Sequence, residues 1–533
     1  LFNSKENILK RNQNESARTV APMTTRSIKI LLLIVIVFWT KPFFGTPTTI
    51  QGKAPGYKAE LIYLFALDDP FTNHRRLLDS EALGDSGVFT FIFNIDEAQR
   101  VFLVVQNAQG ELYIKPGENI HLIFPNLPAD RPILFDATPV SLVFPDTTEG
   151  RLNLSIRAYN AAHARFIDEH FFDFAMNQYS GSAAYKKKIA QEHPEIDLAK
   201  MSAADTARVK ADPKAFMTAL RKWEEEILQK FASYLHDSFF ENYVRYSFSE
   251  LEMLGGMSRK DLYKKYLMSQ PVLDRLPPYI TLFDAMFGDC IADAPKARES
   301  EFIRIINGRQ NASALIRTIR GDSILTHDAL AEMAALRGLQ RVWNDRRFQK
   351  NGILFVLNDL KTSFAKPAKW IDNVLESLYT GTSGWSAPNS VLLNEKDEKV
   401  EFSSFKGKYV YTIFFANWCS SCLREMQMLE AISAKYKNEV SIVAINMDDD
   451  YDQFRKYLSL HKKQDFLFLS GKGDPLLRQK FNLKSIPTCF LFDPEGKLLS
   501  DYTKRPSEGI QKEFEKIIAR KPDEQRDFNN WKR

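Results

Sequence analysis

Two cysteines three residues apart, in Trp418-Cys419-Ser420-Ser421-Cys422, stand where an apolar strand-like run, Tyr409–Phe415, gives way to a helical pattern carrying Leu423, Met426, Leu429, Ala431 and Ile432 on one face. This junction constrains the fold more than any other stretch, because it fixes a strand, a helix and the chemistry at their joint. A cysteine in the first turn of a helix meets unpaired backbone N–H groups and the positive end of the helix dipole, which favours thiolate over thiol. Cys419 is therefore the expected nucleophile. Cys422, one turn on and expected to be more buried, can reach back to resolve a mixed disulfide on Cys419, as thiol–disulfide exchange requires. The competing reading is half of a zinc site. Zinc needs two further ligands, and the chain holds only Cys290 and Cys489 besides these, with no second Cys-x-x-Cys and no His-x-x-x-His downstream. Redox chemistry is the better reading, with no metal and no cofactor beyond a Cys419–Cys422 disulfide.

Further residues around the pair form a recognisable set: Ser386-Ala-Pro388, Phe405-Lys-Gly-Lys408, Phe415-Ala-Asn-Trp-Cys-Ser-Ser-Cys422, Glu425 and Ile486-Pro-Thr488. On these the chain from about Trp385 to Ile518 resembles the TlpA/ResA-like branch of the thioredoxin superfamily. The resemblance covers only the last quarter of the protein. It implies a thioredoxin-like α/β domain over residues 385–521 with thiol-disulfide oxidoreductase activity. It also implies a cis proline at Pro487 beside the disulfide, with Trp418, Ile486, Pro487 and Thr488 shaping the contact with substrate. An ordinary trans proline at a strand start is the alternative for Pro487. Glu425 falls where relatives carry a carboxylate near the active-site cavity, so a role in taking the Cys422 proton is implied; a solvated first-turn glutamate is the alternative. Thioredoxins themselves place a buried aspartate six residues before the first cysteine, where this chain has Ile413. Proton handling must differ accordingly. Ser420-Ser421 between the thiols tunes thiolate stability in a way that leaves the reduction potential, and with it the direction of electron flow, open.

The order of elements expected in this domain is a hairpin over Val391–Val400, the strand to Phe415, the helix from Cys419 and the strand Val440–Ile445. An acidic-capped helix Asp448–His461, the strand Phe466–Leu469 and a helix Pro475–Phe481 follow. A hairpin of Thr488–Phe492 with Lys497–Tyr502 and a helix Ser507–Ala519 complete it. Cys489 is expected to point into the sheet as a small apolar residue; Cys290 is isolated far upstream, and both are expected to stay free.

At the other end, Met23 is followed by Arg26 and Lys29 and then the apolar run Ile30–Trp39. A basic stretch before about ten apolar residues reads as an export signal over 23–48, short for a membrane span. Periplasm or cell envelope is the expected location, with a retained N-terminal anchor as an alternative to cleavage. Residues 1–22 read as a non-native leader and the charged stretch 522–533 as a tail. With four cysteines in 533 residues a disulfide-stapled scaffold is excluded, and the 44% hydrophobic content supplies cores instead. The formal charge of +5 is small for this length and is not gathered into a basic stripe, so nucleic acid is not an expected partner.

Between these ends, period-two runs at Ala59–Phe65, Val88–Phe93, Arg100–Val105, Glu111–Ile114 and Asn119–Phe124, with Gly110 and Pro116-Gly117 as turns, predict an antiparallel β domain over 55–130. It resembles the β-rich N-terminal domain of some exported TlpA-like proteins. Residues 150–380 predict helices, clearest over Arg157–Phe174, Pro213–His236, Ser258–Met268, Asp328–Arg347 and Lys366–Leu378. Pro271, Pro277-Pro278 and Gly321 mark breaks. His163 and His170 share a helix face, but their aromatic neighbours favour packing over a metal. The fold class is thus multidomain α+β: a β-rich N-terminal domain, a helical middle region and a C-terminal thioredoxin-like α/β domain. The expected activity is an exported oxidoreductase acting on disulfide-containing envelope proteins and recharged by a membrane electron donor. The alternative is an envelope binding or redox-sensing protein whose thioredoxin domain is an interaction module.

Overall fold

The computed structural model describes residues 47–519 except 58–59, 128–134, 136, 149, 180–212, 323, 326, 449–450 and 461–465. The leader, the apolar run Ile30–Trp39 and the tail 522–533 lie outside the described residues. No helix among the described residues is long and apolar enough to cross a membrane.

Two sheets make the N-terminal region. One has the order β4–β1–β7, from β1 (Thr48–Lys53), β4 (Val88–Phe93) and β7 (Asn119–Ile123). The other runs β3–β2–β5–β6–β8, from β2 (Leu61–Leu67), β3 (Arg75–Ala82), β5 (Gln99–Val105), β6 (Ala108–Ile114) and β8 (Thr138–Val140). Ile50, Leu64, Phe89, Phe91, Leu103, Leu112 and Phe124 fill one core. The expectation of an antiparallel arrangement needs correction: β1 pairs parallel with β7, and β6 parallel with β8. β1 and β8 also lie beyond residues 55–130. Neither carries alternation enough to announce itself, since β1 (Thr-Thr-Ile-Gln-Gly-Lys) has one large apolar residue. Gly52 is required there, because a Cβ would sit 2.3 Å from the Phe89 ring.

Helices fill the middle region around one core rich in aromatic side chains, with Tyr159, Phe240, Tyr246, Tyr279 and Phe283 fully buried. The helix expected from Arg157 runs Arg151–Tyr179, and that expected to reach His236 stops at Lys230. Asp328–Arg341 is helical before a 3-10 turn, short of Arg347. Pro277-Pro278 opens the helix Pro277–Phe287, where a missing N–H costs nothing. His163 packs against Tyr159 and Trp223, and His170 against Phe166 and Phe216. No group of three metal-binding side chains occurs among the described residues.

The C-terminal region is a six-stranded sheet in the order β10–β9–β13–β12–β11–β14. Its strands are β9 (Val391–Leu393), β10 (Lys399–Glu401), β11 (Tyr409–Phe415), β12 (Val440–Asn446), β13 (Leu467–Ser470) and β14 (Thr488–Phe492). β11 lies between β12, to which it is parallel, and β14, to which it is antiparallel. Both faces are covered, one by helices and the other by short turns and Trp385, so β11 is buried from Val410 to Phe415, as expected of a strand inside such a sheet. Tyr411, Ile413 and Phe415 meet the helices Ser420–Tyr436 and Gln511–Ala519; Val410 and Phe414 meet Trp385, Phe402 and Phe481. Alternation of side chains along one strand thus holds both layers together and aims its C-terminal end at Cys419.

Four local expectations are corrected here. Ala431 faces solvent, while Glu425, Ser433 and Tyr436 share the buried face. The helix expected over Pro475–Phe481 is a single turn, Leu477–Lys480. Gly509, in the left-handed region at φ 83°, splits the last helix into a 3-10 turn Pro506–Glu508 and Gln511–Ala519. Lys497–Tyr502 is not a strand: only the isolated bridges Ser386–Lys497 and Phe492–Leu498 form. Leu499 N–H still donates to Leu491 O at 2.9 Å, but Leu491 N–H turns to Thr503 Oγ1, while the Leu498 backbone faces away from β14, its N–H donating to Trp385 O and its carbonyl accepting from Gly384 N, both at 2.7 Å.

The C-terminal region is fastened to the N-terminal one. Gln479 brackets the Arg75 backbone, its Oε1 accepting from Arg75 N at 2.7 Å and its Nε2 donating to Arg75 O at 3.2 Å. Lys472 pairs with Glu60 at 2.7 Å, and Arg478 lies over the Phe135 ring, 4.3 Å from its centroid.

Candidate active site

Cys419 is the N-cap of the helix Ser420–Tyr436, with extended backbone (φ −89°, ψ 97°). Its Sγ accepts from the Cys422 backbone N–H at 3.2 Å and lies 3.3 Å from Ser421 Oγ. The two sulfurs are bonded to each other in this structure. Because a disulfide sulfur carries no proton, the Ser421 hydroxyl is the donor in that contact. Cys419 is 7% exposed and Cys422 is fully buried. The order of accessibility matches an attacking and a resolving thiol. A thiolate formed at Cys419 would face an N–H, a hydroxyl and the helix N-terminus, all of which stabilise negative charge.

The other residues singled out in the sequence fall into two groups. Trp418 is 37% exposed beside the pair, and the Ile486–Pro487 peptide bond is cis. The Ile486 carbonyl oxygen lies 3.9 Å from Cys419 Sγ, which brings the Pro487 loop against the disulfide. Thr488 begins β14, its hydroxyl donating to Ser485 O at 2.7 Å. Glu425 sits apart from this surface. It is buried, not solvated, and its two oxygens accept from Ser507 N at 2.9 Å and Ser507 Oγ at 2.6 Å. Its carboxylate therefore ties the cysteine helix to the 3-10 turn before the last helix.

A polar cluster behind the active-site loop was not visible in the sequence. Asp448, expected as a helix cap, is 7% exposed and turned inward. Its Oδ2 accepts from Asn417 N at 2.8 Å and from Asn446 Nδ2 at 2.7 Å, and its own N–H donates to Asn446 Oδ1 at 3.0 Å. The helix that follows starts only at Tyr451. Asn417 is two residues before Cys419, so this carboxylate positions the loop that carries Cys419. The signal was the polar pair Asn446 and Asp448 at the end of an apolar strand, an arrangement that calls for buried partners.

Cys489 and Cys290 are free. Burial pushes the Cys489 thiol up to about 12, and burial does the same to Cys290. Tyr411, beside Cys489, is also raised far above the ordinary phenol range, chiefly by burial. These groups stay neutral at physiological pH and lack the environment that Cys419 enjoys.

Comparison with known proteins finds relatives of the C-terminal region. A family profile described as thioredoxin-like matches residues 407–498. The thiol-disulfide oxidoreductase ResA of Bacillus cereus (strain ZK / E33L) is 30% identical over 133 residues, covering 24% of this chain and 75% of the relative. The thioredoxin-like protein YneN of Bacillus subtilis (strain 168) is 25% identical over 148 residues, covering 24% of this chain and 85% of the relative. Among solved structures, the thioredoxin domain of a thiol-disulfide oxidoreductase from Bacteroides vulgatus is 24% identical, with a TM-score of 0.24, covering 26% of this chain and 98% of that domain. Through its C-terminal quarter the chain belongs to the TlpA/ResA-like thioredoxin family of thiol-disulfide oxidoreductases.

Proposed function

We propose that the chain is an exported reductase of protein disulfides in the bacterial cell envelope, working through Cys419 and Cys422 with no cofactor beyond their disulfide. In the reduced protein the Cys419 thiolate attacks one sulfur of a substrate disulfide; an S–S bond forms to Cys419 and the other substrate sulfur leaves as a thiolate. Cys422, after losing its proton, attacks Cys419 Sγ and releases the second substrate thiolate. Two electrons have then passed to the substrate, and the Cys419–Cys422 disulfide must be reduced by a dithiol donor, expected at the membrane. Glu425 is assigned the handling of the Cys422 proton, one helical turn beyond that thiol. Trp418, Ile486, Pro487 and Thr488 are assigned the contact with substrate. Export rests on the basic residues and apolar run after Met23.

The observation that carries the reading is the convergence of the Cys422 N–H and the Ser421 hydroxyl on the more accessible sulfur. Reduction of insulin by the pre-reduced protein tests it: wild type should precipitate the insulin B chain and Cys419→Ser should not. Equal rates would reject the reading. Cys422→Ser should trap envelope proteins as mixed disulfides on Cys419.

A further inference from the structure

The missing partner strand of β14 leaves a groove beside the site. Leu491 directs its backbone away from β11: its N–H donates to Thr503 Oγ1 at 3.2 Å and its carbonyl accepts from Leu499 N at 2.9 Å. Backbone groups two residues apart on a strand face the same edge, so Cys489 turns its N–H and C=O the same way. No described residue bonds them there. A backbone pair in such a place calls for a partner. The edge opens into a groove of about 390 Å³ that begins at Pro487 and includes Cys489, Tyr502 and Thr503. Thr380 and Gly381, at the exit of the last helix of the middle region, form its other wall.

That wall is held in place. Thr380 N–H donates to Glu376 O at 2.8 Å, Ser383 N–H to Asp501 Oδ1 at 2.5 Å and Gly384 N–H to Leu498 O at 2.7 Å. Tyr502 is 63% exposed, yet its hydroxyl is fixed by both Glu508 oxygens at 2.6 and 2.7 Å, so its ring offers a rigid apolar surface. The groove is continuous with the Pro487 loop, whose Ile486 carbonyl touches Cys419 Sγ.

We propose that an extended polypeptide on one side of the substrate's reacting cysteine adds to the free edge of β14, pairing with the Cys489 backbone between Tyr502 and Thr380. This rests on the reductase reading and names its substrate class: disulfides in extended segments of protein, not small disulfides. It also gives the helical middle region a direct part in selection, since Thr380 caps its last helix. Strand addition is a known way for an open edge to bind a chain, with backbone bonds supplying affinity.

The test uses the full-length protein and a twelve-residue peptide carrying one cysteine in a mixed disulfide with 2-mercaptoethanol, with 2-hydroxyethyl disulfide as the small comparison. Single N-methylations are walked along the four residues on each side of the cysteine. Methylation should lower kcat/KM by about tenfold at one position on one side only, that of the N–H meeting the Cys489 carbonyl, the loss expected for removing a bond with its donor's partner left unpaired. Thr380→Trp, which narrows the groove, should lower kcat/KM for the unmethylated peptide at least as much and abolish the position dependence. Reduction of 2-hydroxyethyl disulfide should be unchanged in Thr380→Trp. A flat methylation profile, or Thr380→Trp reducing peptide and small disulfide alike at wild-type rates, would overturn strand addition while leaving the reductase reading intact. If wild type reduces neither disulfide, the reductase reading itself fails.

Discussion

Asp448→Ala removes the carboxylate that holds the loop before Cys419, and its cost can be worked from two bonds. The Asn417 N–H and the Asn446 amide lose an ionised acceptor at 2.8 and 2.7 Å. The Asn446 amide retains only a long contact of 3.4 Å to Asn417 Oδ1. Hydrogen bonds to charged groups contribute about 1.5–3 kcal/mol each. Water entering the space left by a buried side chain returns part of this, so a net loss of about 3 kcal/mol in local stability is expected. The assay is amide hydrogen exchange read by mass spectrometry on the full-length oxidised protein, because local opening is measured there without assuming two-state unfolding of several domains. Protection over 409–424 should fall about a hundredfold, at about 1.4 kcal/mol per factor of ten. Protection over the N-terminal sheets should be unaltered. Asp448→Asn keeps the shape and one acceptor and should lose only about tenfold. Wild-type protection in Asp448→Ala would refute the positioning role.

Ser421→Ala removes one of the two donors to Cys419 Sγ, so iodoacetamide should alkylate the reduced variant several-fold more slowly at neutral pH, with Ser421→Thr restoring the rate; an unchanged rate would show that the hydroxyl does not stabilise the thiolate. Glu425→Ala strips both acceptors from Ser507 and should destabilise the C-terminal domain by about 2–4 kcal/mol in urea, whereas Glu425→Gln should lose less stability and alter the pH profile of insulin reduction if the carboxylate moves the Cys422 proton. In the reduced native protein at pH 8, Cys419 should be modified long before Cys489 and Cys290, whose burial holds both thiols up to about 12; peptide mapping after brief alkylation checks this. His74 is raised above 6.5, first by its hydrogen bond to Glu376 and against the opposing effect of burial, and Glu376 is lowered below 4.5 by the same bond. The pair's contribution is full between those two ordinary values, is lost as pH rises through the folded-state value of His74, and is lost at the acid end as pH falls through that of Glu376. Exchange protection at the start of β3 and over Lys369–Tyr379 should follow this window, and His74→Gln should flatten it.

Chemistry that is local in the chain was legible from it. The cysteine pair, its strand and its helix lie within 28 residues, and the Pro487 loop stands next to an unmistakable apolar strand. Asp448 was misread because an acidic residue after a strand is the ordinary sign of a helix cap, while its real partner, Asn417, is 31 residues away in sequence. For Glu425 a solvated first-turn residue stood as the alternative to a proton role because nothing nearby announces Ser507, which is 82 residues on. The helix Ser238–Leu254 escaped notice for a different reason: Phe239, Phe240, Tyr243, Tyr246 and Phe248 are poor helix formers on propensity, and the tertiary core decides their state. β1 and β8 depend on parallel partners distant in the chain, which no local pattern reveals. At Lys497–Tyr502 the alternation was present and the first bonds to β14 form, but beyond them Leu491 N–H turns to Thr503 Oγ1 and the Leu499 carbonyl accepts from Ser383 Oγ, so the ladder stops.

The Gln479 bracket on Arg75, with Lys472 on Glu60, bears on how the dithiol meets its clients. A catalytic module on a loose tether could swing and search; one clamped to a sheet from an earlier part of the chain cannot. Clients must be delivered to a stationary mouth, and cutting the clamp by Gln479→Ala with Lys472→Ala would turn a fixed station into a roaming one.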